Sequence, residues 1–381
     1  MIQRIFHTIG QGAFYSERHE NINIVYDCGT EWKNRAKSIS NKVVTQSFSK
    51  KEIIDILFIS HFDYDHVSKI QTLKKHVKEI KRVILPLLHD NEKILLSNFY
   101  RALDINILTL INEPEKYFGD KTKIIYVRPS ENNESPINDN TETQNLDDIV
   151  KPNDANKFEI ESGVKLTISG LTNWIFIPYN NNYTNNHNDL IKELKSEGFD
   201  TTKLTNEPNY TLDKIIKDVS LSKSKGGKKF KEIYDRLNGK VNQNSMFLYS
   251  GPIQNNKYHK HCFVGDMRRH FYNHLYYHCN HSDKVGCIYT GDGDLNIVDI
   301  KSIFRSYWEN VGTIQIPHHG DIKSFNKKVL KDHYYCCPIS VGKNNSYGHP
   351  SSKVIGEILT LRSCPVLVTE ELDSMYIEII E

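Results

Sequence analysis

Ser60-His61-Phe62-Asp63-Tyr64-Asp65-His66 follows an apolar run at residues 53–59. It precedes apolar residues at helical spacing: Val67, Ile70, Leu73, Val77 and Ile80. The run is rich in β-branched and aromatic side chains and reads as a strand; the spacing after it predicts a helix. The tight turn between them carries His61, Asp63, Asp65 and His66, four side chains able to point into one small volume. Imidazole nitrogen and carboxylate oxygen are the donors that Zn²⁺ or Mn²⁺ takes. An acidic turn capping a helix explains Asp65 alone, but not two histidines flanking two aspartates.

Working outward, the same pattern recurs where other short apolar runs end. Residues 285–289 lead into Thr290-Gly291-Asp292-Gly293-Asp294, where glycine lets a carboxylate approach closely. Residues 313–316 lead into Pro317-His318-His319-Gly320, and residues 339–341 into Gly342-Lys343-Asn344-Asn345-Ser346-Tyr347-Gly348-His349-Pro350. Counting ligands ties these turns together. One metal takes His61, Asp63 and a histidine from the His318-His319 pair. The other takes Asp65, His66 and His349, and Asp292 bridges the two. Two divalent ions, Zn²⁺ or Mn²⁺, ~3.5–4 Å apart activate a shared water and clamp the oxygens of an in-line displacement.

Strands also end at residues 22–26, before Asp27-Cys28-Gly29, and at 366–368. Helical spacing returns at Ile297, Ile300, Ile303, Phe304 and Trp308, and at Val354, Ile355, Ile358 and Leu359 after the N-cap candidates Ser351 and Ser352. Strands alternating with helices imply sheets covered by helices, an α/β (α+β) class. Two stretches break the rhythm within what reads as a single domain over residues 1–381. Residues 129–157 are polar and rich in Asn, Asp and Pro, and read as a mobile loop. Residues 179–243 read as a partly helical insertion, with apolar pieces at 190–194 and 215–219.

The charge balance, 49 basic against 47 acidic side chains, gives no electrostatic case for a nucleic-acid coat or a membrane surface. No apolar stretch approaches the ~18 residues needed to span a bilayer, and the N-terminus reads as a strand rather than a secretory signal. Seven cysteines without C-x-x-C spacing suggest buried thiols rather than a disulfide framework or zinc ribbon. A cytoplasmic protein with no membrane contact is expected.

Lys343, Asn344 and Tyr347 share the turn of His349 and are candidates for contacting a substrate phosphate. Asn244 and Ser245 are candidates for orienting a neighbouring turn. The basic run at residues 223–231 reads first as a solvated face. His270, His274, His278 and His281, interleaved with Phe271, Tyr276 and Tyr277, read as an aromatic helix packed on a sheet, with Arg268 and Arg269 beside it.

Taken in order, Gly10-Gln11-Gly12, Asp27-Cys28-Gly29, His61 to His66, Asn242 to Ser245, Thr290-Gly291-Asp292, His318-His319-Gly320 and Asn345 to Pro350 resemble the metallo-β-lactamase superfamily. Within it, they are most similar to the hydrolase domain of ComEC-type DNA-uptake proteins and its stand-alone relatives. The resemblance runs to about Thr369, interrupted by the two stretches above. It implies a four-layer αββα metallo-β-lactamase sandwich with metals at one edge of two sheets. It also implies a phosphodiesterase or nuclease acting on nucleic acid or a nucleotide through a two-metal-activated hydroxide, with a partner protein encoded nearby. The sequence departs from the superfamily's HxHxDH at Asp63, where harder oxygen ligation favours Mn²⁺ over Zn²⁺. Acidic residues expected around the first glycine turn are Thr8 and Ala13 here. From the histidine pair His318 is taken as the metal ligand, leaving Asp65 or the spare His319 as general base. Hydrolysis of a phosphocholine ester, a lactone or another ester or amide on the same fold is the competing expectation, followed by a non-catalytic sensor or scaffold.

Overall fold

The computed structural model describes residues 1–31, 34–102, 107–130, 137, 143–149, 158–181, 191–192, 194–210, 245–254, 258–265, 275–277, 283–331 and 333–381. Two large sheets form the centre. In the first, Ile22–Cys28, Ile56–Phe58, Arg82–Pro86, Lys123–Val127 and Phe158–Ile160 run parallel. The sheet continues antiparallel on the other side of Ile22–Cys28 through Phe14–His19, Ile2–Phe6, Tyr376–Ile380, Lys260–Val264 and Leu275–Tyr277. In the second, Gly286–Tyr289, Val311–Ile314, Cys336–Ser340 and Cys364–Val368 are parallel. Met246–Pro252 and Trp174–Asn180 extend it antiparallel, with Lys165–Thr167 and Thr143–Asn145 at its far edge.

Side chains alternate across each strand, so every central strand serves two cores. Ile24 and Tyr26 meet Phe176, Leu248 and Tyr289 between the sheets. Val25, Leu57 and Val83 face outward against Val44, Leu73 and Tyr100 from helices. On the other side Ile175, Ile177, Phe247 and Tyr249 face Val298, Ile303, Phe304 and Trp308. Helix, sheet, sheet, helix: the molecule is an α+β four-layer αββα sandwich. Within the inter-sheet core, Arg4 donates to Glu17 (2.8 Å) and Glu378 (2.5 Å) and reaches the second sheet at the Val285 carbonyl (3.0 Å).

Several expected elements differ in form. The helix after His66 is two short ones, Tyr64–Val67 and Ile70–His76, and Ile80 lies in the strand Glu79–Ile80. Val77 is already extended, and Lys78 donates its N–H to the Glu52 carbonyl, redirecting the chain into a small sheet. The face at residues 297–308 comprises the helix Ile300–Ile303 and a 3₁₀ turn, Arg305–Asn310, with Ile297 exposed. Ser352–Thr360 is the helix expected, with Ser351 at its N-cap, although Leu359 faces solvent. Tyr276 and Tyr277 lie in a strand, Leu275–Tyr277, rather than in an aromatic helix, because this segment pairs with Lys260–Val264. His270, His274, His278, His281, Arg268, Arg269 and Phe271 lie outside the described residues.

Within the polar stretch 129–157, Thr143–Asn145 is a strand, followed by Leu146, which is fully buried between the sheets. In the region 179–243, the helix Thr201–Asn206 is capped by the Asp200 carboxylate. It is tied to the helix Asp90–Ala102 by Asn98, which donates to the Leu204 and Glu207 carbonyls. The piece at 215–219 and the basic run at 223–231 lie outside the described residues. Cys28, Cys262, Cys287, Cys336 and Cys337 are buried free thiols, and Cys364 is half-buried. Among the described residues, no helix is long and apolar enough to cross a membrane.

Candidate metal centre

The parallel strands of both sheets end at one edge of the sandwich, and their carboxyl-end turns meet there, the usual place for a site in such sheets. Asp27 closes one strand, residues 60–66 follow the next, and Asp292, His318–Gly320 and the turn of His349 follow strands of the second sheet. Close approach explains the glycines. A Cβ on Gly29 would lie 2.4 Å from the Asp65 carbonyl oxygen, and one on Gly291 (φ +54) would lie 2.9 Å from Ser245 Oγ and Ser60. Where an acidic side chain was expected at Ala13, its backbone N–H donates to the Asp65 carbonyl at 3.1 Å.

Two donor groups share Asp292. In one, His61, Asp63 and Asp292 place their ligand atoms within 4.8 Å of one another; in the other, Asp65, His66, Asp292 and His319 do so. His61 Nε2 lies 3.7 Å from both Asp63 Oδ2 and Asp292 Oδ2, and His66 Nε2 lies 3.0 Å from Asp292 Oδ1. His319 Nε2 is 3.0 Å from Asp65 Oδ2. The structure therefore brings His61, Asp63, Asp65, His66 and Asp292 together as the sequence reading grouped them, but distributes the remaining histidines differently. His319, rather than His349, stands with Asp65 and His66. The backbone explains this: His318, His319 and Gly320 are all left-handed (φ 48, 55 and 81). In that turn His319 Nδ1–H donates to the Ser340 carbonyl at 2.7 Å, aiming Nε2 at Asp65. His318 Nε2 is 3.9 Å from Asp292 Oδ2, with Nδ1 near Asp321. His349 belongs to neither group; its ring is 5.6 Å from that of His318 and 6.4 Å from that of His319.

A set of buried partners fixes the imidazoles. Asp27 Oδ1 accepts from Ser60 N–H (2.7 Å), and its Oδ2 accepts from Ser60 Oγ–H (2.6 Å) and His66 Nδ1–H (2.8 Å). Because the Ser60 hydroxyl proton is committed to Asp27, its oxygen accepts from His61 Nδ1–H at 2.8 Å. Ser245 Oγ lies 3.0 Å from the same His61 nitrogen and accepts from Asp292 N–H at 2.9 Å. Both imidazoles thus turn Nε2 inward. Both Nε2 atoms are buried; His61 Nε2 makes no hydrogen bond, and His66 Nε2 has only the Asp292 carboxylate, 3.0 Å away, beside it. Leaving the His61 nitrogen unsatisfied costs about 1–3 kcal/mol, which a divalent cation would offset. Tyr100, from the helix Asp90–Ala102, donates to Asp63 Oδ1 at 2.8 Å and to the Phe62 carbonyl.

Electrostatics point the same way. Burial works to raise the Asp292 carboxyl, yet His66, His318 and His61 hold it well below its ordinary value. Burial opposes charge on His66, but Asp292, Asp65 and Asp27 drive it well above the usual imidazole range. For His319, too, the Asp65 hydrogen bond and the nearby carboxylates outweigh burial and raise it. Protons here balance a concentration of carboxylates, the situation in which a cation competes well with protons. The residues present, three carboxylates and three imidazoles, fit divalent ions that accept nitrogen and oxygen ligands. A third cluster, Cys262, Cys336 and Glu378, lies in the core, where Lys260 Nζ, 3.3 Å from Glu378, already supplies a positive charge.

The substrate-binding candidates form an exposed rim. Lys343 is paired with Glu371 at 3.5 Å, and its N–H donates to Glu370. Asn344 is exposed. Tyr347 donates to Glu31 at 3.2 Å and lies 5.9 Å from the His349 ring. Ser245 orients the neighbouring turn as expected, and Asn244 lies outside the described residues. Two contributors escaped the sequence reading. Asp27 was visible only as part of a turn motif, whereas Tyr100 sits in an amphipathic helix with no signal of its own.

No family model matches the sequence, and no curated protein matches it. Among solved structures, the chain is similar to the metallo-beta-lactamase fold protein YhfI from Bacillus subtilis. The identity is 11%, over 47% of this chain and 52% of that one, with a TM-score of 0.24. The chain thus spans about half the length of that protein.

Proposed function

We propose that the protein is a metal-dependent hydrolase of the metallo-β-lactamase type that cleaves phosphodiesters in nucleic acid or a nucleotide. The observation that carries the metal dependence is the convergence of the buried Nε2 atoms of His61 and His66 on the Asp292 carboxylate, His61 Nε2 without any hydrogen bond. His61, Asp63 and Asp292 would hold one divalent ion, and Asp65, His66, Asp292 and His319 a second. Ions bound there supply Lewis acidity toward a water molecule and toward the phosphoryl oxygens, chemistry suited to in-line displacement. The oxygen-rich donor set favours Mn²⁺ over Zn²⁺.

The chain's own residues do the rest. Asp27, Ser60, Ser245 and Tyr100 hold the donors in one orientation, so little reorganisation accompanies reaction. Asp65 and His319, with Nε2 of the histidine 3.0 Å from the carboxylate, are the candidates for general base, and His318 and His349 lie outside both donor groups. His349 Nδ1 makes no hydrogen bond, and its ring lies 5.9 Å from that of Tyr347. Tyr347, with Lys343 and Asn344, lines the approach.

The test is hydrolysis of single- and double-stranded DNA, RNA, cyclic dinucleotides and bis-p-nitrophenyl phosphate with Mn²⁺, Mg²⁺ or Zn²⁺. Metal-dependent cleavage of at least one phosphodiester, lost in Asp65→Ala and His66→Ala, is expected. Tight metal binding without turnover of any phosphodiester would overturn the substrate assignment and direct attention to carboxylic esters and lactones.

A further inference from the structure

On the outer helical layer, a groove of ≈390 Å³ is lined by Lys327, Lys331, Lys353, Gly356, Glu357, Thr360 and Leu361. Its two walls are direct continuations of the turns that carry the site histidines. One wall, the 3₁₀ turn Lys327–Leu330, follows His318–Gly320. The other, the helix Ser352–Thr360, begins just after His349, where Ser351 N–H donates to the Gly320 carbonyl at 3.0 Å. The groove follows the helix from Lys353 toward Leu361, ~12 Å at ~1.5 Å per residue, and its Lys353 end is the one nearest the Ser351–Gly320 contact behind the His318–His319 turn.

Its charge is positive. Of the three lysines only Lys327 has an acidic partner, Glu357 at 3.5 Å, while Lys331 and Lys353 make no ion pair among the described residues. The chain as a whole is nearly neutral, with net charge +2, so this concentration of ammonium groups is local. Lysine presents a strongly hydrated point charge suited to phosphate oxygens. The lining also includes Gly356, which has no side chain, and the apolar Leu361.

We propose that this groove binds the phosphate backbone of a nucleic-acid strand whose neighbouring phosphodiester lies at the metal centre. The inference rests on the phosphodiesterase reading and deepens it: the substrate is a polymer rather than a mononucleotide or cyclic dinucleotide.

The experiment is fluorescence anisotropy of the full chain with a labelled 30-nucleotide single strand, from low to physiological salt. Wild type is compared with Lys327→Glu/Lys331→Glu/Lys353→Glu and with Lys50→Glu/Lys51→Glu/Lys78→Glu, a charge-matched change at exposed lysines elsewhere. The groove variant is expected to bind at least tenfold more weakly. The slope of log K against log salt should fall by about 2, as for three lost contacts to a single strand. Hydrolysis of bis-p-nitrophenyl phosphate and the melting temperature should stay at wild-type values. A conservative set, Lys→Gln at the three groove positions, should lose affinity in the same direction with the fold unchanged. No binding by wild type, or equal weakening in the groove and control variants, would overturn the proposal. Groove-dependent binding without hydrolysis of any phosphodiester would leave it standing and remove only the catalytic reading.

Discussion

The Asp27 carboxylate accepts from His66 Nδ1–H at 2.8 Å and, through the same oxygen, from the Ser60 hydroxyl. One side chain at the end of a first-sheet strand therefore sets the tautomer of His66 directly and that of His61 through Ser60. Its backbone is left-handed (φ 55), a conformation uncommon for a residue with a side chain and often kept where function requires it.

Asp27→Asn should weaken divalent metal binding by about 10- to 100-fold, because an amide NH₂ cannot accept from Ser60 and His66 on one side and Ser60 N–H on the other. Isothermal titration with Mn²⁺ reads this out. Affinity within a factor of two of wild type would show that the imidazoles need no such anchor.

Tyr100→Phe removes the donor to Asp63 Oδ1 while keeping the ring in the helix-side core. Stability should drop by about 1 kcal/mol, the usual size for one buried hydrogen bond, as measured by urea unfolding without metal. Mn²⁺ affinity should fall as well, because the carboxylate loses one of the contacts that orient it. A lower stability with unchanged affinity would assign Tyr100 to packing alone.

His7 gives the molecule an acid-sensitive element away from the centre. Burial, aided by the Arg18 guanidinium, pushes its imidazole down to about 3, while its nitrogens lie against Ser16 and Ser47 hydroxyls. Between the ordinary imidazole value, 6.5, and about 3, the unfolded chain takes up a proton that the folded one refuses. Stability from this group is therefore full above pH 6.5 and lost as pH falls, by about 1.4 kcal/mol per pH unit. His7→Gln should flatten that part of the stability profile in urea titrations from pH 4 to 7. An unchanged slope would place the acid sensitivity elsewhere.

Arg4→Met should destabilise the fold by about 3–5 kcal/mol, since the guanidinium that bridges two buried carboxylates is lost and only His19 remains beside Glu17 and Lys260 beside Glu378. Replacing Arg4 and Glu17 together by apolar residues, with Glu378 kept beside Lys260, should restore part of the loss. Chemical denaturation of both variants tests this, and a single substitution that costs under about 1 kcal/mol would contradict it.

Much of the centre was legible because its chemistry is local in sequence. Residues 60–66 carry four donors on one turn, and Asp292 announces itself by its glycine neighbours. The αββα layering was implied by resemblance and appears in the structure as the alternation of residues such as Ile24, Val25 and Tyr26 between two cores. What stayed hidden depends on tertiary contacts. The choice between His319 and His349 turns on a left-handed backbone and on a hydrogen bond to the Ser340 carbonyl, neither of which has a sequence signature. Ile80 fitted a helical period, but pairing of its strand with Ile53–Ile54 overrode the spacing. Tyr276 and Tyr277 were drawn into a strand by the neighbouring edge Lys260–Val264 in the same way.

The most direct measurement is an anomalous difference map from crystals grown with saturating Mn²⁺. Two peaks are predicted on either side of the Asp292 carboxylate, one within bonding distance of His61 and Asp63, the other of Asp65, His66 and His319. A map with no peak beside Asp292, or with manganese only at other positions, would contradict the shared centre on which the account rests.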